Sequence, residues 1–259
     1  MNYNKQNYKL ILQTAINQGF EFVDFNTVNL EENNGKQIIL RHDVDYSLEL
    51  AHEMAEIDAI YKIKSIFAVL ISSPLYNPFT SNNIKIIDGI YSLGHNIVLH
   101  HQVALGQSVE QIQEDISKEI QIMKVYIPFV QNVFVWHNLP SDNLLSGLEV
   151  PDLVNAYSDR FVGKMPYISD SVLRNKPEDI IQALQNNRKL HLLLHPLIWM
   201  SEQNDMVSMM SYVLTEIIRN CDKEFLFNRA WKASFPNGIP QAVLDKLHQI
   251  LNVKEIHAE

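Results

Sequence analysis

Residues 38–45 read Ile38-Ile39-Leu40-Arg41-His42-Asp43-Val44-Asp45, an apolar run that ends in two carboxylates just before a helix-periodic segment. In a strand, side chains two residues apart share a face. Asp43 and Asp45 are therefore expected to project together from the strand's C-terminal end, where parallel α/β proteins build their sites. Neighbouring carboxylates repel unless one shares a proton or one binds a cation. With a cation bound, one Asp serves as ligand and the other is free to act as a base. The alternative is that Asp45 caps the following helix while Asp43 bonds nearby backbone.

Working outward, the same β-then-α grammar recurs. Strands are predicted at Gln37–Asp43, Ser65–Ile71, Asn96–His100, Asn132–His137, Leu153–Ala156, Pro166–Ser169 and Leu190–His195. Between them, Leu50, Met54, Ile57 and Tyr61 recur at helical spacing, as do Val109, Ile112, Ile116, Ile120 and Met123 behind a Ser108…Gln111 capping box. Pro177, Glu178 and Asp179 open another helix, and Val207, Met210, Leu214 and Ile217 continue the alternation. Strands interleaved with helices imply a parallel sheet with right-handed crossovers. The expected fold is an irregular, TIM-like (β/α)7 barrel with outer helices. It is read as one domain over 1–259, with terminal helical additions at 1–20 and 238–259.

Composition bounds the function. The 259 residues are 46% hydrophobic, enough to bury one large core, and the net charge is −9 from 21 basic and 30 acidic residues. No Lys/Arg cluster is present to track a phosphate backbone, so nucleic acid is not expected as a partner. The single cysteine, Cys221, excludes an intrachain disulfide and fits a reducing compartment. The apolar patch Leu10-Ile11-Leu12 is too short for a signal peptide, and no membrane span is expected; the chain reads as a soluble cytoplasmic protein.

The histidines discriminate further. His100 and His101 end the third predicted strand on opposite faces, His137 ends the fourth and His195 the last. Acids or imidazoles at four strand ends favour a metal hydrolase site over isolated structural histidines. His42 alternates away from Asp43, and His191 shares the face of His195 but lies lower, in a core position.

Taken in order, Leu40-Arg41-His42-Asp43-Val44-Asp45, Gly94-His95-Asn96-Ile97-Val98-Leu99-His100, Trp136-His137-Asn138-Leu139-Pro140, Tyr167-Ile168-Ser169-Asp170-Ser171 and Leu192-Leu193-Leu194-His195-Pro196 resemble the motifs of the NodB-type polysaccharide deacetylases. The likeness is to a divergent branch associated with surface-polysaccharide and lipopolysaccharide O-antigen biosynthesis, and it spans roughly residues 37 to 200. It implies a (β/α)7 barrel that removes N- or O-acetyl groups with a divalent metal, commonly zinc. Asp43 matches the family's general base. The adjacent metal-binding Asp of the family is replaced by Val44, and Asp45 is the better geometric candidate for ligand. His100 matches the first metal-binding His. The second, expected four residues on, is replaced by Ala104, so His101 or His137 must supply it; His137 is favoured because it ends a neighbouring strand. The family's third-motif Arg is absent around Trp136-His137-Asn138. His195 matches the late His that protonates the leaving group. Asp170 is read as orienting His195, binding substrate or making an Asx-turn. Trp136, Tyr167 and Trp199 offer flat faces to a sugar or else pack the core, and Asn138 joins them as a substrate-binding candidate.

The resulting expectation is a zinc-type hydrolase acting on an acetylated sugar, glycan or nucleotide-sugar. The substituted positions Val44 and Ala104 keep open a barrel that binds a glycan or nucleotide-sugar without hydrolysing it. An amidase-type metal hydrolase on the same scaffold is a second alternative.

Overall fold

The computed structural model describes residues 1–31, 35–138, 147–161 and 163–252; Leu139, Pro140, His257 and the end of the C-terminal addition lie outside these. They form two compact units, Met1–Met209 and Met210–Glu259, each taken by itself below.

The first unit is built on eight parallel strands: β1 (Phe20–Phe22), β2 (Lys36–Val44), β3 (Ile66–Leu70), β4 (Asn96–Gln102), β5 (Val133–His137), β6 (Val154–Asn155), β7 (Tyr167–Ser169) and β8 (Lys189–Leu193). The sheet runs β6-β5-β4-β3-β2-β8-β7, with β1 pairing the lower part of β2 from Phe20↔Lys36 to Phe22↔Ile38. The architecture is a parallel, half-closed barrel of the (β/α)7 kind, and all seven sequence-predicted strands are present. Sequence reading missed β1, because three residues are too few to show alternation.

Helices α1 (Lys5–Asn17), α2 (Leu48–Ile60), α4 (Val109–Tyr126) and α5 (Pro177–Asn186) fall where helical segments are predicted, whereas α3 (Ser81–Ser92) and α6 (Pro196–Met200) are not predicted from the sequence. The Ser108/Gln111 capping box is formed at α4, and Pro177 opens α5 with Glu178 and Asp179 in its first turn. At α2 the cap is Ser47, whose side chain accepts from Leu50 N, so Asp45 is not the capping residue. The N-terminal addition is integral to this unit, since Tyr8, Ile11, Leu12 and Ala15 of α1 are 0–1% exposed.

Strand alternation divides β2 into two chemistries. Ile39, with Ala68, Val98, Val133 and Val135 from the neighbouring strands, fills the barrel interior below the site. On the opposite face His42 is fully buried beneath α2, with Nε2 3.0 Å from Asp58 Oδ2 and Nδ1 3.0 Å from Leu194 O. Asp58 also accepts from Tyr8 Oη and, at 2.6 Å, from Ser65 Oγ. This network ties α1, α2, the C-terminal part of β2 and the start of β3 together. Removing one partner of a buried charged network leaves the others unpaired and typically costs about 3–5 kcal/mol. Asp58→Ala is therefore expected to lower unfolding stability by about that much in denaturant titration; a loss well under about 1 kcal/mol would show the network to be dispensable.

The second unit is helical, with most of α7 (Met206–Phe227), then α8 (Arg229–Ser234) and α9 (Gln241–Asn252). Trp231 packs in tilted contacts at ring-centroid distances of 4.6 Å from Phe225 and 4.8 Å from Phe235. Its turn needs Gly238 (φ +91°), because a Cβ there would come within 2.7 Å of the Asp222 carboxylate. No helix among the described residues is long and apolar enough to cross a membrane.

Candidate active site

At the C-terminal ends of the strands lies a cavity of about 340 Å³ whose wall includes Asp43, Asp45, His100, His137 and His195. A larger hollow of about 680 Å³, beside Gln113 and Leu148, collects no comparable convergence of acids and imidazoles.

Three side chains meet at one point. His100 Nε2 is 3.1 Å from Asp45 Oδ1, His137 Nδ1 is 3.2 Å from the same oxygen, and the two nitrogens are 3.1 Å apart. Among the described residues this is the one group of three that could hold a metal ion. The donor triangle fits such an ion: ligands about 2.0–2.1 Å from tetrahedral zinc stand about 3.3 Å from one another, and three protein ligands leave a fourth position open. Burial opposes ionisation of Asp45, but hydrogen bonds from His100 and His137, with the charges of His100 and His195, hold it well below the usual carboxylate range. The hydrogen bond to Asp45 outweighs desolvation at His137 and raises its pKa. The Asn138 amide lies 3.1 Å from His137 Nε2; turned so that its oxygen accepts there, it leaves the Nδ1 lone pair facing the cluster. His100 Nδ1 is buried without a partner.

His101 is placed elsewhere. It lies on the other face of β4, with Nδ1 2.6 Å from Glu119 Oε2 on α4. The register sets Gln102 opposite His137, so β5 brings its terminal imidazole over the end of β4 on the interior side.

Asp43 stands beside the cluster, its Oδ2 3.7 Å from His100 Nε2. Arg41, on the same face of β2 and fully buried, donates from Nη2 to Asp43 Oδ2 at 3.0 Å. Its Nε approaches Oδ1 to 2.9 Å as a charge contact, since neither atom makes a well-aligned hydrogen bond. Nη2 also donates to Tyr157 Oη at 2.7 Å. Below this lies His191, 3.5 Å from Arg41 Nη1, its pKa pushed well down by burial and by the guanidinium. Sequence reasoning missed Arg41 and Tyr157. The signal for Arg41 was present, because it shares the period-two face of Asp43 and Asp45. Tyr76 was also missed: it donates to Val44 O at 2.6 Å and accepts from Leu70 N, fixing the strand ends that carry Asp45.

His195 follows β8 as the residue before α6, and faces the cluster with Nε2 3.7 Å from Asp45 Oδ2. Asp170, at the end of β7, is 2.5 Å from His195 Nδ1 and accepts from His195 N at 2.9 Å. Burial alone would lower the imidazole's pKa, but the Asp170 charge and hydrogen bond, reinforced by Asp45 and Asp43, push it up to about 9. Asp170 is fully buried and engaged with His195 and Trp199, contacts of the kind the orienting role weighed from sequence would make.

The aromatic candidates divide. Tyr167 is 45% exposed and lines the cavity, as does Asn138. Trp199 is not on the wall: it is fully buried against Tyr3 and Tyr8 and donates from Nε1 to Asp170 Oδ2 at 2.7 Å. Trp136 borders the cavity but is 2% exposed, and its indole packs against Phe134 and His101 on the face of β5 opposite His137. Of the two readings weighed from sequence, Trp199 fits internal packing, and Trp136 meets the cavity only with a small part of its surface because strand alternation turns it away one residue before an inward His.

No family model and no curated relative matches the sequence. Among solved structures, the chain is similar to the chitin deacetylase of the fungal pathogen Colletotrichum lindemuthianum, with 13% identity over 74% of this chain and 88% of that one at a TM-score of 0.49. It is similar to a family 4 acetyl xylan esterase from Clostridium thermocellum in complex with a cobalt ion, with 16% identity over 70% and 82% of the two chains at a TM-score of 0.46. A CE4 family pseudoenzyme from Bacillus anthracis matches at 14% identity over 76% and 68%, with a TM-score of 0.48. Likeness of this degree transfers no residue roles.

Proposed function

We propose that the chain is a metal-dependent hydrolase that removes an acetyl group from a sugar, polysaccharide precursor or nucleotide-sugar, as the resemblance of its motifs implies for surface-polysaccharide biosynthesis. The observation that carries this reading is the convergence in one cavity of a His/His/Asp donor triangle, an Arg-held carboxylate and an Asp-held imidazole.

Asp45, His100 and His137 would hold the divalent ion, zinc by their donor set, which would polarise the acyl carbonyl and acidify water. Asp43 takes the attacking water's proton, with Arg41 holding the carboxylate in place. His195, with Asp170 on Nδ1, presents its Nε2 proton to the cavity and donates it to the departing amine or alkoxide. A candidate acid with its pKa raised and a candidate base beside a fixed cation are separated roles in one pocket, the arrangement that acyl transfer to water requires.

The metal-loaded full chain is expected to release acetate from at least one class of N- or O-acetylated saccharide, and a chelator should abolish this. A stoichiometrically metallated protein that releases none across free sugars, oligosaccharides and nucleotide-sugars would favour the binding-barrel alternative. Because the acid must be protonated and Asp170 raises its pKa, the rate should fall on the alkaline side, above the ordinary imidazole range. Asp170→Asn removes the main cause of the raised value and should move that alkaline limb to lower pH. The stability sign agrees: a raised imidazole pKa stabilises the fold fully below its unfolded value of about 6.5, and this contribution is lost as pH rises through about 9. An unmoved limb in the variant would remove His195 from the acid role.

A further inference from the structure

The cavity wall carries a cation that the mechanism does not use. Arg174 lines the same cavity as Asp43 and His195, is exposed and, among the described residues, makes no ion pair. Arg41, by contrast, is committed to Asp43. The turn that presents Arg174 is held in an unfavourable conformation. Val172 and Leu173 have φ of +50° and +57°, a region that L-residues, β-branched ones above all, rarely occupy. Such strain persists only where surrounding structure imposes it, and it concentrates at ligand sites. Here the restraints are explicit. Tyr3 Oη donates to Leu173 O and Asn175 O, both at 3.1 Å, Asn175 Nδ2 donates to Ser169 O at 2.7 Å, and Leu173 N donates to Asp170 O at 2.9 Å. The backbone on both sides of Arg174 is thus tied to the segment that positions His195.

We propose that Arg174 recognises a negatively charged group on the substrate, so that the acetylated sugar carries a phosphate or a carboxylate near the unit being deacetylated. The planar guanidinium fork matches both anions bidentately. The chain's net charge of −9 gives no general attraction for an anion, so the recognition has to be local. The proposal rests on the deacetylase reading for the acetylated sugar but not for the anion.

The test measures binding to the metal-loaded full chain in an Asp43→Asn background, so that turnover does not intrude. Two matched pairs separate the anion sources: N-acetylglucosamine 1-phosphate against its methyl glycoside, and an N-acetylated hexosaminuronic acid against its methyl ester. One charged member is expected to bind roughly fivefold or more tightly than its neutral partner, an advantage that shrinks as salt is added. Arg174→Ala should erase that preference and Arg174→Lys should keep part of it, with melting temperature confirming the fold. Equal binding of charged and neutral members, no binding of either anion, or a preference that survives Arg174→Ala would each overturn the proposal. Acetate release by the wild type is scored separately. Release without charge preference overturns the Arg174 assignment and leaves the deacetylase reading standing. Arg174-dependent anion binding without any release does the reverse.

Discussion

Replacing His100 with Ala should leave the protein unable to retain a divalent ion. His100 Nε2 is one corner of a donor triangle with sides of 3.1, 3.1 and 3.2 Å, and the Asp45/His137 remnant cannot complete a tetrahedral site. Loss of a residue that merely supports a ligand already costs about 10–100-fold in affinity, so loss of a ligand should exceed that. His137→Ala should behave alike. His101→Ala should keep the metal, since His101 faces α4 and bonds Glu119. Elemental analysis and chelator competition on folded variants check all three. Stoichiometric metal in His100→Ala, or selective loss in His101→Ala, would defeat the ligand assignment.

Asp43→Asn and His195→Ala should each lower acetate release by about 10²–10⁴-fold while metal content stays at wild-type level, because each removes a proton-transfer group and neither is a proposed ligand. Their combined loss should be less than the product of the two, as for groups that act in one step. Arg41→Lys should reproduce part of the Asp43→Asn loss: it keeps a charge but not the Nη2 bonds to Asp43 and Tyr157. If Asp43→Asn released acetate at the wild-type rate, the base would have to be sought elsewhere in the cavity.

Much of this site is legible along the chain because it depends on local stereochemistry. The apolar runs located all seven predicted strands, Ser108 and Pro177 marked helix starts correctly, and the period of two put Asp43 and Asp45 on one face. The same period put Arg41 there too, but a cation inside a barrel has no local signature separating it from an exposed one. What lies on β1 was hidden because three residues, Phe20–Phe22, carry too little pattern.

The choice between His101 and His137 could not be made locally. It depends on β4 and β5 being neighbours, and on a register that sets His137 beside Gln102 while turning His101 into the helix layer. Nor could the fate of Trp199, which in sequence fits a sugar platform or core packing alike and serves in the fold as a buried donor to Asp170. The pairing of Asp170 with His195, 25 residues apart, likewise exists only because β7 and β8 are adjacent. Faces and element ends follow from covalent geometry that every short segment carries within itself. The meeting of strand ends around one cavity follows from sheet order, register and core packing, which are properties of the whole chain at once.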